Sequence, residues 1–203
     1  MAWNVSNSIE RINKAQCVAP DFYYFEHFIA EQKALSLYQQ LLALEWQQPT
    51  LTIFNKQHAI PRKQIYMGDA GTGYRYSNQL FLPEPWHVSV LNLKNSLNNW
   101  FGTQFNAALL NWYRNGEDKM GWHADDEPEL GFSPTIASIS LGSSRKFKIR
   151  ENTSKHVTDL ILSNGSCLLM TGNSQRDYQH SLPVQKRVND GRINLTFRTV
   201  CGI

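Results

Sequence analysis

Apolar and polar positions along this chain repeat with two different periods, and the change of period divides it into two parts. Between Ala30 and Trp46, apolar residues at Ala34, Leu37, Leu41 and Leu44 recur every three or four positions, as do Trp86, Val90, Leu93, Leu97 and Trp100. That spacing lines one face of an α-helix and predicts two amphipathic helices. Between them, LTIFNKQHAIPRKQIYMGDAGTGYRYS mixes short β-prone runs with Asn, Gly and Pro, which predicts hairpins and loops over 50–80, a candidate substrate-facing segment. After Phe101 the runs AALLNWY, TIASISLG, KFKIR, VTDLIL, SCLLMTG, YQHSLPV and RINLTFRTV follow one another as short strands separated by turn residues. Helices first and strands afterwards argue against a parallel α/β sheet. They predict an α+β, mainly β fold, a sandwich or jelly roll with the helices packed on one side. Residues 1–20 show no clean period and are expected to be an extended or poorly ordered lead-in without chemistry. With 203 residues and no internal repeat, linker or low-complexity tract, one domain is expected over 1–203, its strand core at 105–203.

Composition adds little. No apolar run reaches 18 residues and the opening MAWNVSNSIERINKAQ lacks the basic-then-apolar order of a secretory signal, so no membrane partner is expected. Cys17, Cys167 and Cys201 are odd in number and show no CxxC spacing, which points to a reducing, intracellular setting rather than a disulfide framework or thiolate zinc site. A net charge of +3 and a pI near 8.7 do not by themselves demand nucleic acid. Placement says more: in RKFKIR, which begins at Arg145, alternation sends Lys146, Lys148 and Arg150 to one face and Phe147 and Ile149 to the other. A solvated sheet face is the ordinary reading of that strand.

The candidate chemistry lies in three places. In GWHADDE, His123 and Asp125 are two apart, so on an extended segment both project to one side. His180 in YQHSLPV offers a third donor from another strand. Two imidazoles and a carboxylate occupy three positions around Fe(II) and leave the others for a co-substrate and oxygen. Zinc with a catalytic water accepts the same ligands, and His180 read alone is an ordinary sheet histidine. In RINLTFR, Arg192, Asn194, Thr196 and Arg198 alternate with Ile193, Leu195 and Phe197. Two inward arginines are costly unless an anion pairs them, and a dicarboxylate beside the metal would do so. An exposed edge strand with a polar outer face is the competing reading.

Together these blocks resemble the AlkB-type Fe(II)/2-oxoglutarate dealkylases, over roughly Phe54 to the C-terminus. The resemblance implies a double-stranded β-helix, cupin-like, with two supporting N-terminal helices and a nucleotide-recognition lid. It makes His123, Asp125 and His180 the catalytic iron ligands and places Asn111 and Tyr113 of NWY on 2-oxoglutarate. Arg192 would take its distal carboxylate, with Asn194 alongside and Arg198 near the end that chelates iron. Fe(II), 2-oxoglutarate and O2 are thus the implied cofactor and co-substrates. The implied reaction removes an N-methyl group from a base as formaldehyde, leaving succinate and carbon dioxide.

PRKQIYMGDAGTGYRYS resembles the lid of the branch that works on duplex DNA, although Met67 interrupts its YGDAG-like run. By that resemblance Tyr76 stacks on the extruded base, Tyr74 lies near its hinge, Asp126 faces the base, and Phe54 fills the vacated stack. Arg62, Lys63, Lys186 and Arg187 would contact phosphates. Read from the residues alone, Phe54 is equally a core phenylalanine and Asp126 a solvated turn carboxylate. The expected activity is direct reversal of N1-methyladenine and N3-methylcytosine in DNA, duplex as well as single-stranded, by a monomer in the cytoplasm of a bacterium or the nucleus of a eukaryote. The alternatives are an RNA or single-strand demethylase, a protein hydroxylase, or a non-catalytic jelly-roll module binding nucleic acid through its basic strand.

Overall fold

A computed structural model describes residues 14–53, 56–76 and 79–201. In chain order the elements are β1 (Gln16–Ala19), β2 (Phe22–Phe25), α1 (Glu31–Leu42), β3 (Thr50–Ile53), β4 (Lys56–Ala59), β5 (Lys63–Gly68), β6 (Tyr74–Tyr76), β7 (Gln79–Phe81), α2 (Val88–Phe101), β8 (Ala107–Tyr113) and β9 (Met120–His123). A 3-10 turn at Pro128–Leu130 leads on to β10 (Ile136–Gly142), β11 (Arg145–Glu151), β12 (Val157–Leu162), β13 (Cys167–Met170), α3 (Ser174–Asp177), β14 (Tyr178–Leu182) and β15 (Arg192–Arg198). Among the described residues no helix is long and apolar enough to cross a membrane.

The helices follow from their apolar spacing, with corrections at the ends. In α1, Ala34, Leu37 and Leu41 are buried on one face. The helix stops at Leu42, short of the predicted Trp46, because the Trp46 indole N–H donates to the Leu41 carbonyl at 3.0 Å and satisfies an acceptor that another helical turn would have taken. In α2, Val90, Leu93, Leu97 and Phe101 are buried and Gly102, with φ of 68°, closes the helix with its N–H on the Asn98 carbonyl. Trp100, predicted as part of the apolar face, is 37% exposed and meets Phe28 edge-on at the rim.

Two antiparallel sheets face each other, the arrangement of a jelly roll. The larger has the order β1-β2-β13-β10-β15-β8-β5, the smaller β12-β11-β14-β9, and β3-β4 and β6-β7 form separate ribbons. The larger sheet draws strands from before residue 105: β1 and β2 at one edge, β5 at the other. Alternation then assigns each central residue a face. Ala137, Ile139 and Leu141 of β10, with Ile193, Leu195 and Phe197 of β15, pack with α1 and α2 in one apolar cluster. A second cluster joins Ile136, Leu168 and Met170 of the larger sheet to Phe147, Ile149, Leu160, Leu162 and Leu182 of the smaller. What the second interface leaves unfilled is a polar pocket at one end of it.

Candidate active site

β15 lies between β10 and β8 at the centre of the larger sheet and all seven of its residues are buried, so it is not an edge strand. Its polar residues point between the sheets. Arg192 donates to Ser140 Oγ at 2.9 Å, Asn194 to Ser138 Oγ at 2.8 Å and the Ile139 carbonyl at 3.0 Å, and Thr196 to Asn194 Oδ1 at 3.1 Å. Across β8, Asn111 Oδ1 accepts from Arg62 Nε at 2.9 Å. The guanidinium of Arg192 sits over the Tyr113 ring, 5.4 Å from its centroid. Arg62, Asn111, Tyr113, Ser138, Arg192, Asn194 and Thr196 line one cavity between the sheets.

The three proposed donors meet on the opposite wall. Pairing of β9 with β14 sets His123 directly across from His180, with their ring centroids 4.2 Å apart, while Asp125 follows just beyond the end of β9. One ligand atom from each of His123, Asp125 and His180 lies within 4.8 Å of the others. The Nδ1 of His123 faces the Gly121 carbonyl at 2.9 Å; a carbonyl only accepts, so that nitrogen carries the proton and Nε2 keeps its lone pair. His180 is buried against Phe147, and its Nδ1 has no hydrogen-bond partner. Two imidazoles and a carboxylate brought this close, one imidazole buried, form a donor set that a metal ion would satisfy.

The electrostatics suit a divalent cation. Burial, then the nearby His123, pulls His180 down to about 3, so it stays neutral and able to coordinate. Burial alone would raise the Asp125 carboxyl, but the Arg198 guanidinium beside it brings it below its ordinary value and keeps it ionised. Arg198 Nη2 donates to Asp125 Oδ1 at 2.8 Å. Burial lowers Arg192 to about 10, and its Nε has no acceptor. A guanidinium that is out of water, still charged and short of an acceptor fits an anionic ligand, so these residues suit both a metal and a carboxylate beside it.

Several sequence expectations are corrected by position. Arg62, expected on phosphates, is only 6% exposed and stands in the pocket wall with its Nε on Asn111. Asp126 is exposed at the surface and does not line the pocket, whereas Glu127 does, with Oε2 buried and unpartnered. Burial pushes the Glu127 carboxyl up, against the pull of Arg198. The period that joins His123 to Asp125 reaches Glu127 as well, so this signal was present in the sequence. Lys63 holds its ammonium over the Trp112 ring, while Lys186 and Arg187 are exposed. Phe54 lies outside the described residues. Tyr74 and Tyr76 are described by backbone alone, opposite Phe81 and Gln79 in the β6-β7 ribbon. Ser138, Ser140 and Gln175 complete the site and were missed. The two serines show as small polar residues at period two in ISIS-like alternation, but Gln175 carries no local signal.

The basic strand divides as its alternation requires. Lys146 and Lys148 both pair with Asp159, at 3.0 and 2.6 Å, and Arg150 stacks on Trp122 at 4.2 Å, so these cations already have partners. Arg145 points the other way, into the core, where its guanidinium meets the carbonyls of Asn115, Asp118 and Pro183.

Comparisons with known proteins agree with this geometry. The profile of the 2OG-Fe(II) oxygenase superfamily matches residues 21–198. DNA oxidative demethylase ALKBH2 of Bos taurus is 39% identical over 156 residues, 73% of this chain and 56% of that protein. Alpha-ketoglutarate-dependent dioxygenase alkB homolog 3 of Bos taurus is 37% identical over 184 residues, 85% of this chain and 64% of that protein. The chain thus spans less than two thirds of the length of either relative. The solved structure of OsALKBH1 shares the fold, with a TM-score of 0.61 and 17% identity over 90% of this chain and all of that one. A profile that runs from β2 to the end of β15 encloses both walls of the pocket, and the chain belongs to the 2OG-Fe(II) oxygenase superfamily, with relatives of the AlkB type.

Proposed function

We propose that this protein is an Fe(II)/2-oxoglutarate-dependent dioxygenase that removes methyl groups from alkylated bases in DNA. The observation that carries the reading is the meeting of His123, Asp125 and His180 opposite two buried arginines in one pocket. Fe(II) would be held by those three residues, and when bound with 2-oxoglutarate it supplies the oxidising power that hydroxylates an N-methyl carbon. The chain's own side chains do the positioning. Arg192 would pair with the distal carboxylate of 2-oxoglutarate, Asn111, Tyr113 and Asn194 would border it, and Arg198 steadies Asp125 through its hydrogen bond to the carboxylate. Phe147 and Leu182 give the pocket an apolar wall beside these polar groups.

A cationic methylated base fits the remaining side. Glu127 would face its amino edge, in place of Asp126, and the β6 ribbon with Tyr74 and Tyr76 would cover it. Duplex substrate requires the base to be flipped out, and Phe54 would occupy the gap. The relatives named DNA oxidative demethylase support the substrate class. The test is turnover on matched N1-methyladenine oligonucleotides, single-stranded and duplex, scoring formaldehyde and repaired base. Formaldehyde release from both is expected, and Phe54→Ala should lose the duplex activity alone. Activity on methylated RNA with none on DNA would overturn the substrate assignment.

A further inference from the structure

Asp125 lies past the last residue of β9, where the ladder that aligns His123 with His180 no longer holds the chain. Its backbone N–H is buried and finds its acceptor in a side chain, Gln175 Oε1, at 3.0 Å. Gln175 belongs to α3, which joins β13 to the ligand strand β14, five residues before His180. Its amide is itself oriented: Nε2 donates to Met170 Sδ at 3.5 Å and reaches Ser174 Oγ at 3.2 Å. The thioether only accepts, so the nitrogen must point there and the oxygen toward Asp125. Gln175 and Ser174 are both buried, and Met170 lines the pocket.

We infer that Gln175 is a positioning residue for the metal site, one that fixes the backbone of Asp125 relative to His180 before any ion arrives. The inference rests on the metal-binding reading of the triad. Besides this bond, Asp125 is held through its carboxylate by Arg198, a contact on the side chain that leaves the backbone at Asp125 to the Gln175 amide. An amide that holds a ligand's backbone acts as an outer support, and loss of such support weakens metal affinity by roughly 10–100-fold.

The test is Mn(II) titration of the purified full chain followed by calorimetry, comparing wild type, Gln175→Leu and Ser166→Ala. Ser166, itself buried, donates a hydrogen bond to the Ser163 carbonyl outside the pocket and serves as the control for general loosening. Gln175→Leu should bind Mn(II) roughly 10–100-fold more weakly, with Ser166→Ala unchanged. Equal affinity in Gln175→Leu and wild type would overturn the inference, as would equal weakening in Ser166→Ala. If Gln175→Leu does not fold, Gln175→Asn, which keeps an amide but falls short of Asp125, gives the same readout. A wild-type chain that binds no Mn(II) removes the triad reading itself, whereas binding that is indifferent to Gln175 removes only this inference.

Discussion

Arg145 and Arg192 are two arginines buried in the same sandwich, 1% and 2% exposed, yet their surroundings differ. Arg145 donates to the carbonyls of Asn115, Asp118 and Pro183 and to Gln185 Oε1, an acceptor shell supplied wholly by the protein. Arg192 has Ser140 Oγ, the face of Tyr113, and an Nε without an acceptor. A buried cation whose shell is complete serves the fold, and one whose shell is incomplete leaves room for a ligand to complete it.

The largest effect is expected where the shell is complete. Arg145→Met strands three carbonyls and releases the loops on either side of the pocket, and should lower stability to urea by roughly 3–5 kcal/mol. Arg192→Met should do the reverse: no loss of stability in the ligand-free chain, but 2-oxoglutarate affinity weaker by roughly 100-fold, about 2.7 kcal/mol. Calorimetric binding and urea unfolding of both variants check the pair. If Arg192→Met unfolds as readily as Arg145→Met, the distinction between the two shells fails.

A smaller effect concerns Asp118, whose carbonyl serves Arg145 while its carboxylate accepts three bonds from Arg114 at 2.8–2.9 Å. Burial would raise this carboxyl, but the Arg114 bonds and the charges of Arg114 and Arg145 bring it below its ordinary value. A depressed folded-state value contributes stability that is present above the unfolded value, near 4, and lost as pH falls through the folded one. Asp118→Asn should therefore cost about 1 kcal/mol at pH 7, with the gap from wild type narrowing below roughly pH 4 in acid titrations of melting. Smallest of all, Asp159→Asn frees Lys146 and Lys148 on the solvent side and should change stability by less than about 0.5 kcal/mol.

The same contrast explains how much the sequence made legible. The strands from β8 onward, except β9, are legible as alternating or apolar runs set between turn residues, and both long helices follow from period, because each helix has one buried face. β2, FYYF, is apolar at all four positions, and β9, MGWH, is four residues with a glycine, so neither has a period to detect. In the site, the metal donors and the RINLTFR face were readable because they sit at period two or in a known block. Arg145 looked like one more cation in RKFKIR until its phase with Phe147 and Ile149 was respected. Arg62 and Gln175 act through partners 49 and 50 residues away, a relation that no local pattern encodes.

The proposed activity requires one pocket to hold a metal ion on His123, Asp125 and His180 and a dicarboxylate on Arg192. Anaerobic calorimetric titration of 2-oxoglutarate into the Mn(II)-loaded chain tests it most directly. One equivalent should bind, with affinity lost in His180→Ala, where the metal is no longer held, and cut roughly 100-fold in Arg192→Met. Binding of equal strength in wild type, His180→Ala and Arg192→Met would contradict it.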